Sequence, residues 1–517
     1  MKTRCTAQLD LDAEASERPR LAAVGALHAR APNVGRSKAV IRLDAGELHR
    51  YAQRAESLLA DTLFVRGDGL VRICTDRHTQ QSSIQPVTPE WLQRELSARA
   101  DFYRLRNSAP VKVDCPPSLA KIICRSGDWP GFLRLHGISR APFLRPDLSV
   151  CSTKGYDIST GIYCDLSEEF PPIDNHATRA DALTALAILS EPFSEFPFAS
   201  EASRGAMLVH ILTAAARTAM PTSPAFFYTA PAPGTGKTLA ARMAGLIASG
   251  SSPSLHQYTD DFDELRKLLY SALLSGASSL VFDNLNRGMQ VRSSALCAFL
   301  TASTYADRKL GVSEIRGVAN HCTIALTGNN LTPTDDLARR SIVIRLDANS
   351  ESARGRSFKI DNLLEHVSMN RVRLLTASLT IIRAYQSAGA PPAARSLESF
   401  EAWSRIARDP LMWLGLEDPV CTQHGETDEG VDSLATAFEQ LANEFPERFT
   451  AKDVVQTLGS GRDSLCEALE EAGCWNVTSA QNVGRWLSGC RGRVAAGLKL
   501  ISTIGHRKTA LWSFKKT

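Results

Sequence analysis

The twelve cysteines of this 517-residue chain include no Cys-x-x-Cys pair, and no histidine pair at ligand spacing stands near any of them. A zinc-ribbon module is thereby excluded. Scattered from Cys5 to Cys490, the thiols read as free core residues in a reducing compartment. No run of about 18 apolar residues occurs, so no membrane-spanning helix is expected. The first residues, MKTRCTAQLD, lack the apolar core of a signal peptide, so a cytoplasmic location is expected. Aromatic residues make up 7% of the chain and none falls in residues 1–37, which read as a flexible tail. Neither sign of charge dominates: the net is +4, and bulk charge by itself demands no nucleic acid. The end of the chain differs. Residues 476–517 hold no Asp or Glu and carry Arg485, Arg491, Arg493, Lys499, Arg507, Lys508, Lys515 and Lys516.

What is present centres on residues 225–250, AFFYTAPAPGTGKTLAARMAGLIASG. Residues 225–229 read as a buried strand and 239–248 as a helix with Leu239, Met243 and Leu246 on one face. Strand, Gly-rich turn, Lys-Thr and helix are the parts of a phosphate-binding loop. Pro233, Gly234, Thr235 and Gly236 would cradle phosphate oxygens with backbone N–H groups, helped by the helix dipole. Lys237 would reach the β and γ phosphates, and the Thr238 hydroxyl would hold Mg²⁺. ATP and Mg²⁺ are therefore the expected cofactors. One departure is visible: position 231 holds Pro where the pattern G-x-x-x-x-G-K-[ST] has Gly.

Further stretches follow in the order a nucleotide-hydrolysing core requires. In GASSLVFDN (276–284), a buried strand ends at Asp283, the end at which open parallel sheets bind ligands. Asp283 would support Mg²⁺ from this second strand. Asn284 beside it orients a water but cannot take its proton. Glu264 is a candidate substitute base, or simply a charge favoured at a helix N-terminus. HCTIALTGNN (321–330) is a short strand ending in amides, with Asn329 the first choice and Asn330 the second for touching a γ-phosphate or its water. An Asn-rich turn without a ligand is the plainer alternative. Arg339 and Arg340 precede the strand at 342–346; ion pairing with Asp335 or Asp336 is their structural alternative. Residues 307–318 read as a β-hairpin carrying Arg308, Lys309 and Arg316, either a solvated face or a phosphate-contacting one.

These residues together resemble the AAA+ primase–helicase proteins of phages, prophages and integrative elements, related to superfamily 3 helicases. The likeness rests on GYDISTGIY (155–163), EFPF (195–198), PAPGTGKT, VFDN, RKLGVSE, TGNN, DLARRSIVIRLD, SFEAWSRIARDPLMWLGLEDP (399–419) and the basic tail, and spans about residues 40–517. It implies ATP hydrolysis, a homo-hexameric ring and a role in replicating a mobile element. It also implies an arginine finger at Arg339 or Arg340 for the neighbouring subunit, a sensor amide at Asn329, and a pore hairpin gripping single-stranded DNA. AAA+ proteins usually carry Glu where this chain has Asn284, although the Asp-Asn pair fits these particular relatives. No paired-Asp polymerase signature precedes the loop, so primer synthesis is not expected.

The predicted fold class is α/β: an AAA+ P-loop core with a mixed α/β N-terminal domain and a C-terminal winged-helix domain. The expected divisions are tail 1–37, N-terminal domain 38–175, ATPase core 176–350, helical lid 351–418, linker 419–432 and winged helix 433–517. In the N-terminal domain, hairpins are expected at 63–73 and 155–163, with a helix over 88–103 capped by Thr88. A helical run at 363–385 carries Arg371 and Arg373, candidates for a further phosphate contact. At the C-terminal end, helices at 433–445, 451–458, 462–472 and 479–487 lead to two strands, 498–503 and 510–514, turning at Arg507 and Lys508. Duplex DNA would meet this module through Arg485, Arg491, Arg493, Arg507 and Lys508. The expected function is an ATP-dependent DNA helicase or translocase. The alternatives are an initiator or loader that does not travel, and a DNA-binding regulator whose ATPase no longer turns over.

Overall fold

The computed structural model describes residues 38–67, 69–76, 82–107, 109–166, 168–308, 315–347, 359–394, 396–423, 427–459, 463–474, 476–491, 494–504 and 510–516. The tail expected at 1–37 lies outside the described residues. The protein is mixed α/β. Every residue of the strand Ala225–Ala230 is buried, as in a strand covered on both faces. It is next to the edge of a five-stranded parallel sheet with the order Leu255–His256, Ser279–Leu285, Thr323–Asn329, Ala225–Ala230, Ser341–Arg345. From Ala225–Ala230 the chain crosses to the far edge of the sheet; from Thr323–Asn329 it crosses the other way, to Ser341–Arg345. Connections leaving two neighbouring strands in opposite directions open a crevice at their C-terminal ends.

Helix Lys237–Ser249 packs on three strands of this sheet and against helix Glu201–Ala215. The latter is buried around almost its whole circumference, which explains its run of apolar residues without amphipathic spacing. Its His210 is fully buried, stacked 4.1 Å from the Phe226 ring and hydrogen-bonded through Nδ1 to the Tyr228 hydroxyl at 2.8 Å. Burial pushes the imidazole down to about 3. Unfolding releases it to its ordinary value near 6.5. Folding therefore keeps the full contribution of this group above pH 6.5 and loses it as pH falls, because only the unfolded chain takes up the proton. Between pH 8 and pH 5.5 the loss is about 1.4 kcal/mol. Denaturant titrations of wild type and His210→Gln are expected to show a shallower acid-side slope in the variant.

The N-terminal hairpin forms from Leu63–Arg66 and Gly69–Thr75, inside a four-stranded sheet. Thr88 caps the next helix, accepting from the Trp91 N–H at 3.2 Å. That helix stops at Arg99 instead of continuing to 103: Ala100–Arg106 is a strand, pairing in parallel with Ala39–Arg42 and antiparallel with Ala109–Val113. Ala100 and Phe102 are buried while Asp101 and Tyr103 are not. A period of two, satisfied by partners distant in sequence, overrides the local helical tendency. The run at 363–385 is likewise two helices, Leu363–Met369 and Arg371–Ser387, broken at Asn370.

The stretch read as a linker carries structure. Pro419–Gln423 is a short 3₁₀ helix against Glu201–Ala215 and the edge strand, with Thr422 buried, and the acidic run beyond it enters a helix, Thr427–Glu444. Helices Ala451–Leu458, Asp463–Glu471 and Ala480–Cys490 follow, then an antiparallel sheet of Val494–Ala495, Leu498–Ile504 and Ala510–Lys516. This portion has its own core, including Phe438, Phe449, Leu469, Leu487 and Trp512.

Candidate functional site

The loop leaves Ala230 at the mouth of the crevice. Gly234 and Gly236 hold φ of 80° and 91°, in the left-handed region that L side chains seldom adopt. At Gly236 a side chain is doubly disfavoured, because a Cβ there would stand 3.0 Å from the Phe196 ring. Phe196 comes from the EFPF stretch, whose contact with the loop was not legible in the sequence. Gly236 opens helix Lys237–Ser249, so the unpaired N–H groups and positive dipole end of a 13-residue helix face the loop.

Lys237 is buried, its Nζ donating to Ala232 O and Thr235 Oγ1, both at 3.2 Å. Burial pushes its ammonium below the ordinary value, and the Asp283 carboxylate opposes that shift. Neither contact neutralises the charge, so a phosphate oxygen is a better partner than either. Thr238 donates to Asp283 Oδ1 at 2.6 Å, and Thr327 donates to the same oxygen at 2.6 Å. Thr327 Oγ1 in turn accepts from the Asn284 N–H at 3.1 Å. The sequence reading missed Thr327; its only signal was a hydroxyl next to the TGNN amides. Hydroxyl and carboxylate oxygens meeting at a helix N-terminus are hard donors that suit Mg²⁺. Among the described residues no group of three or more His, Cys, Asp or Glu side chains forms a metal cage. Mg²⁺ bound through one carboxylate and nucleotide phosphates needs none.

Asp283 and Asn284 lie in a β-bulge. Between the pairs Phe282–Leu326 and Leu285–Gly328, the two residues Asp283 and Asn284 stand against the single residue Thr327. Asn284 takes φ 55°, a conformation Asn tolerates better than Glu. The backbone therefore supplies a local reason for amide over carboxylate at this position. Asn284 is exposed. Asn329 sits opposite Ala230 in the strand register, and its Oδ1 is buried without a hydrogen-bond partner. Asn330 is exposed, with φ 48°. Of the two, Asn329 borders the crevice with an unsatisfied acceptor. Glu264 stays on its own helix, paired with Lys267 at 2.7 Å.

Arg339 and Arg340 both bind Asp336, and Asp335 pairs with Arg292. They are not assembled with Lys237 in this chain. Arg340 O accepts from the Ala225 N–H, at the opposite end of the strand that carries the loop, roughly 17 Å along it. Arg371 is also elsewhere: buried, it binds Glu168 and caps Ile247 O and Ala248 O, at the far end of the loop helix. Arg373 pairs with Glu191 on the surface.

The hairpin forms from Thr304–Arg308 and Ile315–Ala319, antiparallel, with Asp307 opposite Arg316. Asp307 is buried and Arg266 Nη1 meets it at 2.7 Å, which ties the hairpin to helix Phe262–Ser275. Lys309, Arg493, Arg507 and Lys508 lie outside the described residues, and the side chains of Arg308 and Arg316 do too. Arg485 and Arg491 are exposed on and just beyond helix Ala480–Cys490. Lys499 and Lys515 stand directly opposite each other across the last two strands. Like charges in that register destabilise a sheet.

No family model matches this chain, and no curated protein does. No helix among the described residues is long and apolar enough to cross a membrane. Among solved structures, the chain is similar to an apo form of the NrS-1 C-terminal region at 12% identity and a TM-score of 0.33, over 86% of this chain and 95% of that one. A second apo structure of that region gives 11% and 0.32, over 86% and 96%. A JCV helicase bound to a small thiazolopyridine compound gives 13% and 0.21, over 51% and 72%. The likeness is weak in all three.

Proposed function

We propose that this protein is an ATP-dependent DNA helicase or translocase that serves replication of a phage or other mobile element. The observation that carries the reading is the Thr238–Asp283–Thr327 cluster below a buried lysine, at the crevice of a parallel sheet. Lys237 and the loop amides hold the phosphates, Thr238 and Asp283 hold Mg²⁺, and Asn329 offers its buried amide to the γ-phosphate or its water. Mg²⁺ supplies charge neutralisation at the phosphates. Arg339 and Arg340 are remote from their own loop, so their part in hydrolysis is played in a neighbouring subunit of a ring. Opening of their pairs with Asp336 frees them for that contact. The hairpin with Arg308, Lys309 and Arg316 grips single-stranded DNA, and residues 433–517 act as a winged helix on duplex DNA.

The Lys499–Lys515 pair supports the last point, because its repulsion turns into attraction on a polyanion. Replacing both by Gln is expected to flatten the slope of log affinity against log salt by about 1.8, since each lost phosphate contact removes about 0.9. Fluorescence anisotropy of a labelled duplex across a salt series measures it.

The proposal as a whole is tested by ATP turnover, its stimulation by single-stranded DNA, and unwinding of a forked duplex, with Lys237→Ala as the blank. A folded preparation that does none of the three overturns it. Exposed Asn284, which cannot take a proton, favours one second reading, a DNA-binding regulator that binds ATP without splitting it. ATP binding without turnover would establish that alternative.

A further inference from the structure

At the opposite end of the loop helix lies a cavity of about 290 Å³, between the N-terminal portion and the parallel sheet. Its walls include Ala248 and Ser249 at the end of that helix, roughly 17 Å from Lys237. Arg66, Arg140 and His136 come from one side, Arg217, Ser279 and His321 from the other. Ten serines line it, and no Asp or Glu does among the described residues.

Three guanidinium groups thus face one small space without a carboxylate. Arg66 and Arg217 are buried. Part of this has a structural cause. Arg66 donates to the carbonyls of Leu273, Leu274, Leu135 and His136, closing the end of helix Phe262–Ser275 and joining it to the N-terminal hairpin. Arg217 holds Cys322 O and Met220 O. Arg140 donates to Ser251 Oγ and Ser82 O.

Carbonyl and hydroxyl partners satisfy hydrogen bonds but carry no countercharge, and Asp165, outside the lining, offsets only part of the burial of Arg140. The acids nearby are engaged: Glu168 with Arg371, and Asp165 with Lys154 at 3.5 Å. Two polar atoms here, Arg140 Nε and Ser279 Oγ, are buried with no hydrogen-bond partner among the described residues. Such atoms destabilise the fold unless a ligand meets them. The groups also sense one another. Burial and the charges of Arg217, His136 and Arg66 together push His321 down to about 3, and burial brings Arg217 down to about 10.

We propose that this cavity is a second anion site, built for a phosphate or pyrophosphate group, free or carried by a nucleotide, and independent of the phosphate loop. Arg140 supplies charge and its unused Nε–H, Arg217 charge, and Ser279 a hydroxyl. Because its two walls belong to different parts of the chain, the anion clamps the N-terminal portion against the ATPase sheet.

The test uses the full chain carrying Lys237→Ala, which weakens binding at the loop, so that variants in the cavity wall report on the cavity itself. Isothermal titration with pyrophosphate, inorganic phosphate and ADP is compared with chloride at matched ionic strength. Saturable binding of at least one phosphate compound is expected, together with slower amide exchange at 82–85 and 251–252. Arg140→Gln, which keeps a hydrogen-bonding side chain, should weaken it by at least about 10-fold, the loss of a charge-assisted bond. Ser279→Ala, a change unlinked to any protein hydrogen bond, should weaken it several-fold. Replacing Arg217 endangers the fold, so it is not used. Pyrophosphate or phosphate binding without ADP identifies a free anion; equal binding of ADP identifies a nucleotide. Absence of saturable binding, equal effects of chloride, or affinity untouched by both variants overturns the proposal.

Discussion

Asp283→Asn is expected to lower ATP turnover by about 10²- to 10³-fold while leaving the fold intact. The Asn carbonyl still accepts from the Thr238 and Thr327 hydroxyls, which now meet Asp283 Oδ1 at 2.6 Å each. Packing and hydrogen bonds around the bulge therefore survive, and only the negative charge goes. Two effects of that charge disappear together. The carboxylate no longer completes an oxygen set suited to Mg²⁺, and Lys237, whose ammonium the carboxylate supports against burial, is pushed further down. Steady-state ATPase rates and thermal unfolding of the two proteins give the comparison. The Mg²⁺ dependence of ATP affinity gives a second readout that needs no turnover. Equal rates and equal Mg²⁺ dependence would remove Asp283 from the site.

Trp403→Ala is expected to destabilise the main core by about 3–5 kcal/mol. The indole is fully buried, and its Nε1 donates to Thr213 Oγ1 at 2.8 Å. Thr213 in turn donates to Val209 O, so the bond reaches the buried helix that abuts the edge of the parallel sheet. Removal leaves a cavity between the helices at 401–413 and that helix, in a cluster that includes Phe400, Leu411 and Leu374. Nearby, Arg408 grips Asp418 through two hydrogen bonds, 2.8 Å and 2.5 Å, and holds the following turn in place. Collapse around the missing indole is therefore restricted, which favours the upper part of the range. The C-terminal portion has a separate core, so its unfolding should not move. Chemical denaturation followed by near-UV circular dichroism and by hydrogen exchange separates the two. A main-core midpoint within error of wild type would show that Trp403 is not the anchor its burial implies.

Much of the local structure was legible because its causes are local. Thr88, expected as a cap, starts its helix with its own hydroxyl. The loop strand reads as buried because all of its residues suit a two-sided interior. The helices and strands beyond 433 follow their hydrophobic period closely. Where local and distant causes compete, the sequence misleads. Helical propensity continues through 103, yet pairing with Ala39–Arg42 and Ala109–Val113 makes 100–106 a strand. Acidic residues at 426–432 read as a solvated linker, although helix Thr427–Glu444 runs through most of them.

The candidate site divides in the same way. By itself the sequence determined Lys237, Thr238 and Asp283 as a group, because a glycine turn before Lys-Thr and an acid at a strand end are short-range patterns. Only the tertiary structure decided what surrounds them. The neighbouring position of two strands brings Thr327 to Asp283, and the bulge opposite Leu326–Gly328 turns Asn284 into the left-handed region. The same structure sends Arg371 to the end of the helix away from the loop and gathers Arg66, Arg140 and Arg217 around one cavity. Those outcomes depend on which segments become neighbours across up to hundreds of residues. No periodicity or spacing within a short window carries that information; the choice is made by burial of the whole core and by where each charge then finds a partner.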